Sequence, residues 1–161
     1  MGFFGAERKI APEQIAISLH KIAHADLPNE LIERVQCFNS LSQTLGPDRL
    51  SFEILCLAFF AVECGVTAAL SQNSDLKEMR RAFVDILKTR IDFVRFTLRN
   101  AAYSKAVKNF AEGEVNCLVG STFAKFCGVN DDSAIAIESE LLFVTLARMA
   151  REVVEQSGIL V

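Results

Sequence analysis

The chain has no tryptophan and one tyrosine, and only three prolines and eight glycines interrupt its 161 residues. So few breakers leave long unbroken segments, which excludes a β fold built from many turns and points to helices. With Trp and Tyr nearly absent, the aromatic load falls on 13 phenylalanines, and the core is bulky but short of side-chain hydrogen-bonding groups. No C-x-x-C pair occurs among the five cysteines, Cys37, Cys56, Cys64, Cys117 and Cys127. That spacing and the odd count argue against a disulfide framework or a zinc site, and for buried reduced thiols in a cytoplasmic protein. Nucleophile-elbow, phosphate-loop, dinucleotide and H-E-x-x-H motifs are all missing, so no enzyme class and no cofactor is indicated. The net charge of −3 singles out no class of partner.

What stands out is the segment Ile54 to Leu70, ILCLAFFAVECGVTAAL, in which all but three of seventeen residues are apolar and the only charge is Glu63. A helix apolar on nearly every face must be surrounded by protein or lipid. The run is slightly short for a bilayer span of about 20 residues and carries a carboxylate near its middle. A buried central helix without a membrane span is therefore expected. The opening MGFFGAERKI has no basic region followed by an apolar one, so no signal peptide is expected, and Gly2 is followed by Ala6 where myristoylation wants Ser or Thr,.

The apolar spacing predicts an all-α bundle of five to six mostly antiparallel helices around this centre, in a single domain spanning 1–161 with 1–10 as a short tail. The expected helices run from Pro12 to Ala25, from Asn29 to Leu45 with Gly46-Pro47 as a stop, and from about Asp48 to Leu70. A fourth, opened by Asp75 with Glu78, meets no Gly or Pro from Asp75 to Ala111. At 1.5 Å per residue that stretch would be about 55 Å long, so a bend near Asn100 is expected. A weaker helix covers Val115 to Phe126, and a final one Asp132 to Gln156, closed by Gly158. The inward row expected for the last is Ile135, Leu142, Leu146, Met149 and Val153. Phe3-Phe4 in the tail is expected to pack on the bundle.

A helical wheel divides the central helix into three stripes. Ala58, Ala61, Gly65 and Ala68 form a smooth one, where another helix can approach closely, and which suits a two-fold homodimer contact. A bulky stripe, Leu55, Phe59, Val62, Val66 and Leu70, lies beside it. The third holds Cys56, Phe60, Glu63 and Thr67. If it is buried, Glu63 needs a partner. Arg90 lies within the apolar face of the fourth helix, and buried arginines are seldom unpaired. It is the candidate to meet Glu63.

Two further patterns complete the inventory. Lys77, Arg81, Lys88, Arg95 and Arg99 fall near one line, and Asp75 to Phe110 carries nine Lys or Arg against four Asp or Glu. With Asp85 and Asp92 spaced to pair with Arg81 and Lys88, and with no aromatic platform or recognition helix, this predicts a solvated self-paired face and not a nucleic-acid site. His20 and His24, four apart, share one helical face as a metal pair requires. No Glu-x-x-His accompanies them.

Three function classes follow. The first is a non-catalytic helical protein for protein–protein interaction, self-associating as a homodimer. The second is a ligand-binding regulatory domain, with a Phe-lined pocket anchored by Arg90 and Glu63 around a small apolar or anionic ligand. The third is a metal-dependent enzyme using His20, His24 and Glu63.

Overall fold

The computed structural model describes residues 10–69, 74–111, 113 and 118–157, and among them every regular element is a helix. The elements are α1 (Pro12–Ile22), α2 (Leu27–Arg34), α3 (Gln36–Leu45), α4 (Pro47–Ala69), α5 (Ser74–Arg90), α6 (Phe93–Ala111), α7 (Val119–Phe126) and α8 (Ser133–Gln156). The expectations placed on Gly2, Phe3-Phe4, Ala6, Leu70, Val115, Cys117 and Gly158, and on the side chain of Asp75, lie outside the described residues.

The apolar run becomes α4, and it is the centre of the fold. Leu50, Ile54, Leu57 and Phe60 feed one buried cluster with Phe38 of α3, Phe123 of α7 and Ile135 of α8. Cys56, Ala58, Phe59, Ala61, Val62 and Val66 feed a second with α1, α5, α6 and the C-terminal half of α8. By length and composition α4 could cross a membrane, but 61% of its most apolar window is buried inside the protein. Four residues of α1's predicted face, Ile15, Ala16, Leu19 and Ile22, are buried on it, with Ala23 just beyond its end.

Two predicted helices are each divided in two. The expected Asn29–Leu45 helix breaks at Val35, whose backbone is extended (φ −105°, ψ 111°). Val35 closes α2 by donating its N–H to Leu31 O at 2.9 Å, and its own carbonyl starts α3 by accepting from Asn39 N at 2.9 Å. A β-branched residue favours such a conformation, and no Gly or Pro marks it. The expected Asp75–Ala111 helix breaks at Ile91-Asp92, well before Asn100. Asp92 Oδ1 accepts from Arg95 N at 3.2 Å and caps α6. An aspartate accepting from the third residue on is a normal N-cap.

Other ends follow the sequence. Gly46 adopts φ +92° between α3 and the first proline of α4. Asp132 Oδ1 caps α8 by accepting from Ile135 N at 3.1 Å. After α7, Gly128 takes φ +73°, with Gly128 N–H to Lys125 O at 3.0 Å and Val129 N–H to Ala124 O at 2.9 Å. This bond pair, with a left-handed glycine, is a Schellman stop.

Among the described residues the most extensive helix contact is α4 against α8. A Cβ added to Gly65 would overlap the Ala147 carbonyl and lie 2.9 Å from Ala150 Cβ. One added to Gly120 of α7 would overlap the Ala136 carbonyl. The Gly120-Ser121-Thr122 run, which weakens the helix on propensity, is thus where α7 touches α8. The smooth stripe of α4 is therefore covered by α8 of the same chain: Ala58, Ala61 and Gly65 are buried, and only Ala68 is exposed. It does not supply a dimer face.

The inward row of α8 differs from the predicted one. Ile135, Ser139, Leu146, Ala150 and Val154 are buried, while Met149 is exposed. Small residues at 139 and 150 let the helix sit close to its neighbours, and that rotation turns Met149 outward.

Because a backbone carbonyl cannot swing aside as a flexible side chain can, Gly65→Ala forces α4 and α8 apart. Overpacking of this kind costs about 1–3 kcal/mol, more than the helix-propensity gain of up to about 1 kcal/mol. Urea unfolding is expected to show a lower midpoint for Gly65→Ala, and an unchanged midpoint would mean the helices do not meet there.

Candidate functional site

Arg90 and Glu63 do not meet. Arg90 ends α5 and turns beneath the C-terminus of α1. Its Nη2 donates to Ala23 O at 2.9 Å and Nη1 to His20 O at 3.3 Å, and its guanidinium lies 5.1 Å from the centroid of Phe59. It thus satisfies the free carbonyls at a helix end, where a cation is also favoured by the helix dipole.

Nη1 of Arg90 also lies 2.9 Å from His20 Nδ1, while His20 Nε2 lies 2.9 Å from Phe83 O. A carbonyl can only accept and a guanidinium can only donate. The imidazole is therefore neutral, with its proton on Nε2 and a lone pair on Nδ1. Its ring stacks on Phe83 at 4.4 Å between centroids. Both nitrogens are used, so His20 has none to offer a metal, and His24 points instead to Glu30, 3.8 Å away at the surface. The metal pair expected from the four-residue spacing is not assembled, and among the described residues no three His, Cys, Asp or Glu gather as metal ligands.

The basic line is broken up in the same way. Arg95 lies 4.2 Å from the centroid of Phe52, and Arg99 4.2 Å from that of Phe126. Lys88 sits over Phe93 at 5.4 Å. Among the described residues no ion pair joins Asp85 to Arg81 or Asp92 to Lys88; Asp92 is spent on its cap.

The ion pair the sequence conceals is Glu53–Arg99. Glu53 is fully buried, and Arg99 Nε and Nη2 reach its two oxygens at 2.9 and 2.7 Å. That bond raises the guanidinium pKa further. Tyr103, stacked on Phe60 at 5.3 Å, is fully buried, and its hydroxyl has no partner. Glu53 stands at the polar start of α4, before the conspicuous apolar run, and looks like a surface residue in sequence. The i,i+4 spacing Arg95–Arg99 with two phenylalanines as platforms is the only signal that could have pointed to it. Glu140 was equally hidden: its Oε2 accepts from Gly120 N at 2.5 Å and caps α7 from the neighbouring helix.

Glu63 has a different setting. It lines an open groove of about 420 Å³ with Phe60, Cys64, Thr67, Ser104 and Val107. Its hydrogen bond comes from Asn100 Nδ2 to Oε2 at 3.3 Å, while Arg80 donates to Thr67 Oγ1. Burial raises the Glu63 pKa, against the smaller lowering effects of Asn100 and Arg80. Asn100 Oδ1 is buried without a partner.

A final feature is a surface. On α8, Ile137, Leu141 and Val144 are 65%, 58% and 53% exposed, at a spacing that places them on one face,. Beside them a groove of about 720 Å³ runs toward α3, lined by Val35, Cys37, Leu41 and Val129 with Asp132 and Glu138 at its polar edge. Burial pushes the thiols of Cys64 and Cys127 up to about 12 and raises those of Cys37 and Cys56. They remain protonated and unreactive near neutrality.

The chain matches no protein-family model, no curated protein and no solved structure.

Two outcomes follow from the buried polar groups. Arg99→Met leaves Glu53 buried and unpaired and should cost about 3–5 kcal/mol in chemical unfolding, whereas Glu53→Leu with Arg99→Met should recover most of it. Equal losses in the single and double variants would show that the pair is not the source. For His20, burial lowers the folded pKa below its ordinary value, with the Arg90 charge adding to the effect and the Phe83 carbonyl opposing it. The unfolded chain then takes up the proton first. Stability from this group is present above about pH 6.5 and is lost as pH falls through the lowered folded pKa. The raised pKa of Glu63 acts in the opposite sense, so the comparison must be with a variant. His20→Gln should flatten the fall in urea midpoint between about pH 7 and 5; an unaltered slope would exclude His20 as its cause.

Proposed function

We propose that this protein is a non-catalytic helical interaction protein that forms a homodimer through the outer face of α8. The observation that carries the reading is the exposed row Ile137, Leu141 and Val144 on a helix whose opposite face is the second wall of the core. Isolated exposed apolar residues are ordinary, but a contiguous row on one helix face marks an interaction surface. The dimer contact thus moves from the small-residue stripe of α4, which α8 fills, to the back of α8.

Charge selects a second copy as the occupant. Asp131 and Asp132 precede the apolar row, and Arg148 and Arg151, both exposed, follow it. If two α8 helices pack antiparallel about Leu141, Arg148 and Arg151, about 10–15 Å along the helix, approach the start of the partner's α8, where Asp131 and Asp132 precede Ser133. The partner's Asp131 then comes near Arg148 and Arg151, on an end of α8 that also carries Glu152 and Glu155,. Arg151 would exchange or share its exposed partner Glu155, now 2.6 Å away. Free thiols at Cys37, Cys56, Cys64 and Cys127 suit a cytoplasmic setting,.

Sedimentation or light scattering over a concentration series tests the proposal. The wild-type chain is expected to dimerise, and Leu141→Glu to weaken the dimer at least about tenfold, with the circular dichroism spectrum kept and the thermal midpoint unchanged at concentrations where both are monomeric. A wild-type monomer at about 1 mM, or a dimer indifferent to Leu141→Glu, would overturn it.

A further inference from the structure

The groove beside Glu63 has a chemistry that self-association does not use. Among its described lining residues Glu63 is the only charge, and Phe60, Cys64, Ala68 and Val107 supply most of the remaining wall, with the hydroxyls of Thr67 and Ser104. Glu63 makes no ion pair among the described residues. Its hydrogen bond to Asn100 is long, at 3.3 Å, and engages one of its two oxygens. Asn100 adds a buried oxygen with no donor. The nearby cation, Arg80, is held by Thr67. Asn100 does not line the groove, so the acceptor open to a ligand there is the Glu63 carboxylate, with one oxygen on a long amide bond and the other unpaired among the described residues.

We infer that this groove is a binding site for a small amphipathic amine, a protonated primary ammonium on an aliphatic chain, with Glu63 as its counter-ion. The ammonium carries three donors and no acceptor, which matches what the site lacks. The chain lies along Phe60, Cys64 and Val107. A volume of about 420 Å³ is within the range of small-molecule pockets,. The charge excludes the carboxylate or phosphate ligands that would suit the arginine-rich parts of the chain, because an anion would face Glu63 at close range. Arg80, whose charge acts on Glu63, opposes the ammonium and makes a sharp discriminator.

Hexylamine, hexanol and hexanoate share a chain and differ in the head group. Titrated into the full-length protein and followed by calorimetry and thermal shift, hexylamine is expected to bind saturably, hexanol at least tenfold more weakly, and hexanoate not at all. Glu63→Gln should weaken hexylamine at least tenfold, and Arg80→Gln should tighten it. Val107→Trp, at a position 39% exposed, fills the groove with the carboxylate intact and should abolish binding even if Glu63→Gln does not fold. Failure of hexylamine to bind, equal binding of hexanol or hexanoate, or indifference to both Glu63→Gln and Val107→Trp would each overturn the assignment. None of these results depends on the oligomeric state, so the fate of the dimer is read separately.

Discussion

The close approach of α8 to α4 sets the terms for everything else. It is possible only because Gly65 has no side chain where the Ala147 carbonyl passes. The same device recurs at Gly120, where α7 presses on the Ala136 carbonyl one helical segment earlier. Two glycines on two helices thus seat one long helix. Once seated, α8 completes both buried clusters, with Ile135 in one and Leu146, Ala150 and Val154 in the other. Van der Waals attraction falls steeply with separation, so backbones this near gain dispersion contacts that bulkier residues would forfeit. The geometry also fixes rotation about the α8 axis, which buries Ser139 and Ala150 and leaves Ile137, Leu141 and Val144 outside.

Cationic side chains in this protein act mainly on their own chain. Arg90 closes the carbonyl end of α1, Arg99 neutralises a fully buried glutamate, and Arg95 and Lys88 cover phenylalanine faces. A chain rich in Phe and poor in Tyr and Trp has few hydroxyl or indole groups to satisfy its interior polar atoms. Arginine supplies five donors on a flexible stem and can do this from the edge of the core. The break at Ile91-Asp92 belongs to the same logic. Without it α5 and α6 would be one straight helix, and Arg90 and Arg99 could not serve separate sites at the end of α1 and at Glu53 of α4.

The helical class and the centrality of Ile54–Leu70 were legible because they rest on composition and on a long apolar run. The ends at Gly46, Asp132 and Gly128 were legible because turn and cap chemistry is local. The divisions at Val35 and Ile91 were not, since β-branched residues allow an extended link without demanding one. The candidate site fared worse for a related reason. Periodicity assigns a residue to a face but not to a partner, so Arg90 was rightly placed among apolar residues and yet matched to Glu63 instead of His20. Glu53 was hidden because it precedes the apolar run, although Leu50, Cys56 and Leu57 at helical spacing place it on a buried face. The fate of the Ala58–Gly65 stripe could not be decided either, as a smooth surface receives a helix of the same chain and one of a second copy by identical physics.

Glu53 and Glu63 show two settings for a carboxylate on one helix. They lie ten residues apart on α4, Glu53 fully buried and Glu63 half-buried. Glu53 receives two short guanidinium bonds, has no exposed surface and borders none of the described grooves. Every part of its desolvation is compensated from within, so nothing remains for a ligand to supply. Glu63 receives one long amide bond, stands beside an acceptor with no donor, and opens onto an apolar groove. Its desolvation is left partly uncompensated, as the raised pKa records. Along α4, then, one carboxylate is fully paired within the core, and the other opens onto a groove with a single long hydrogen bond.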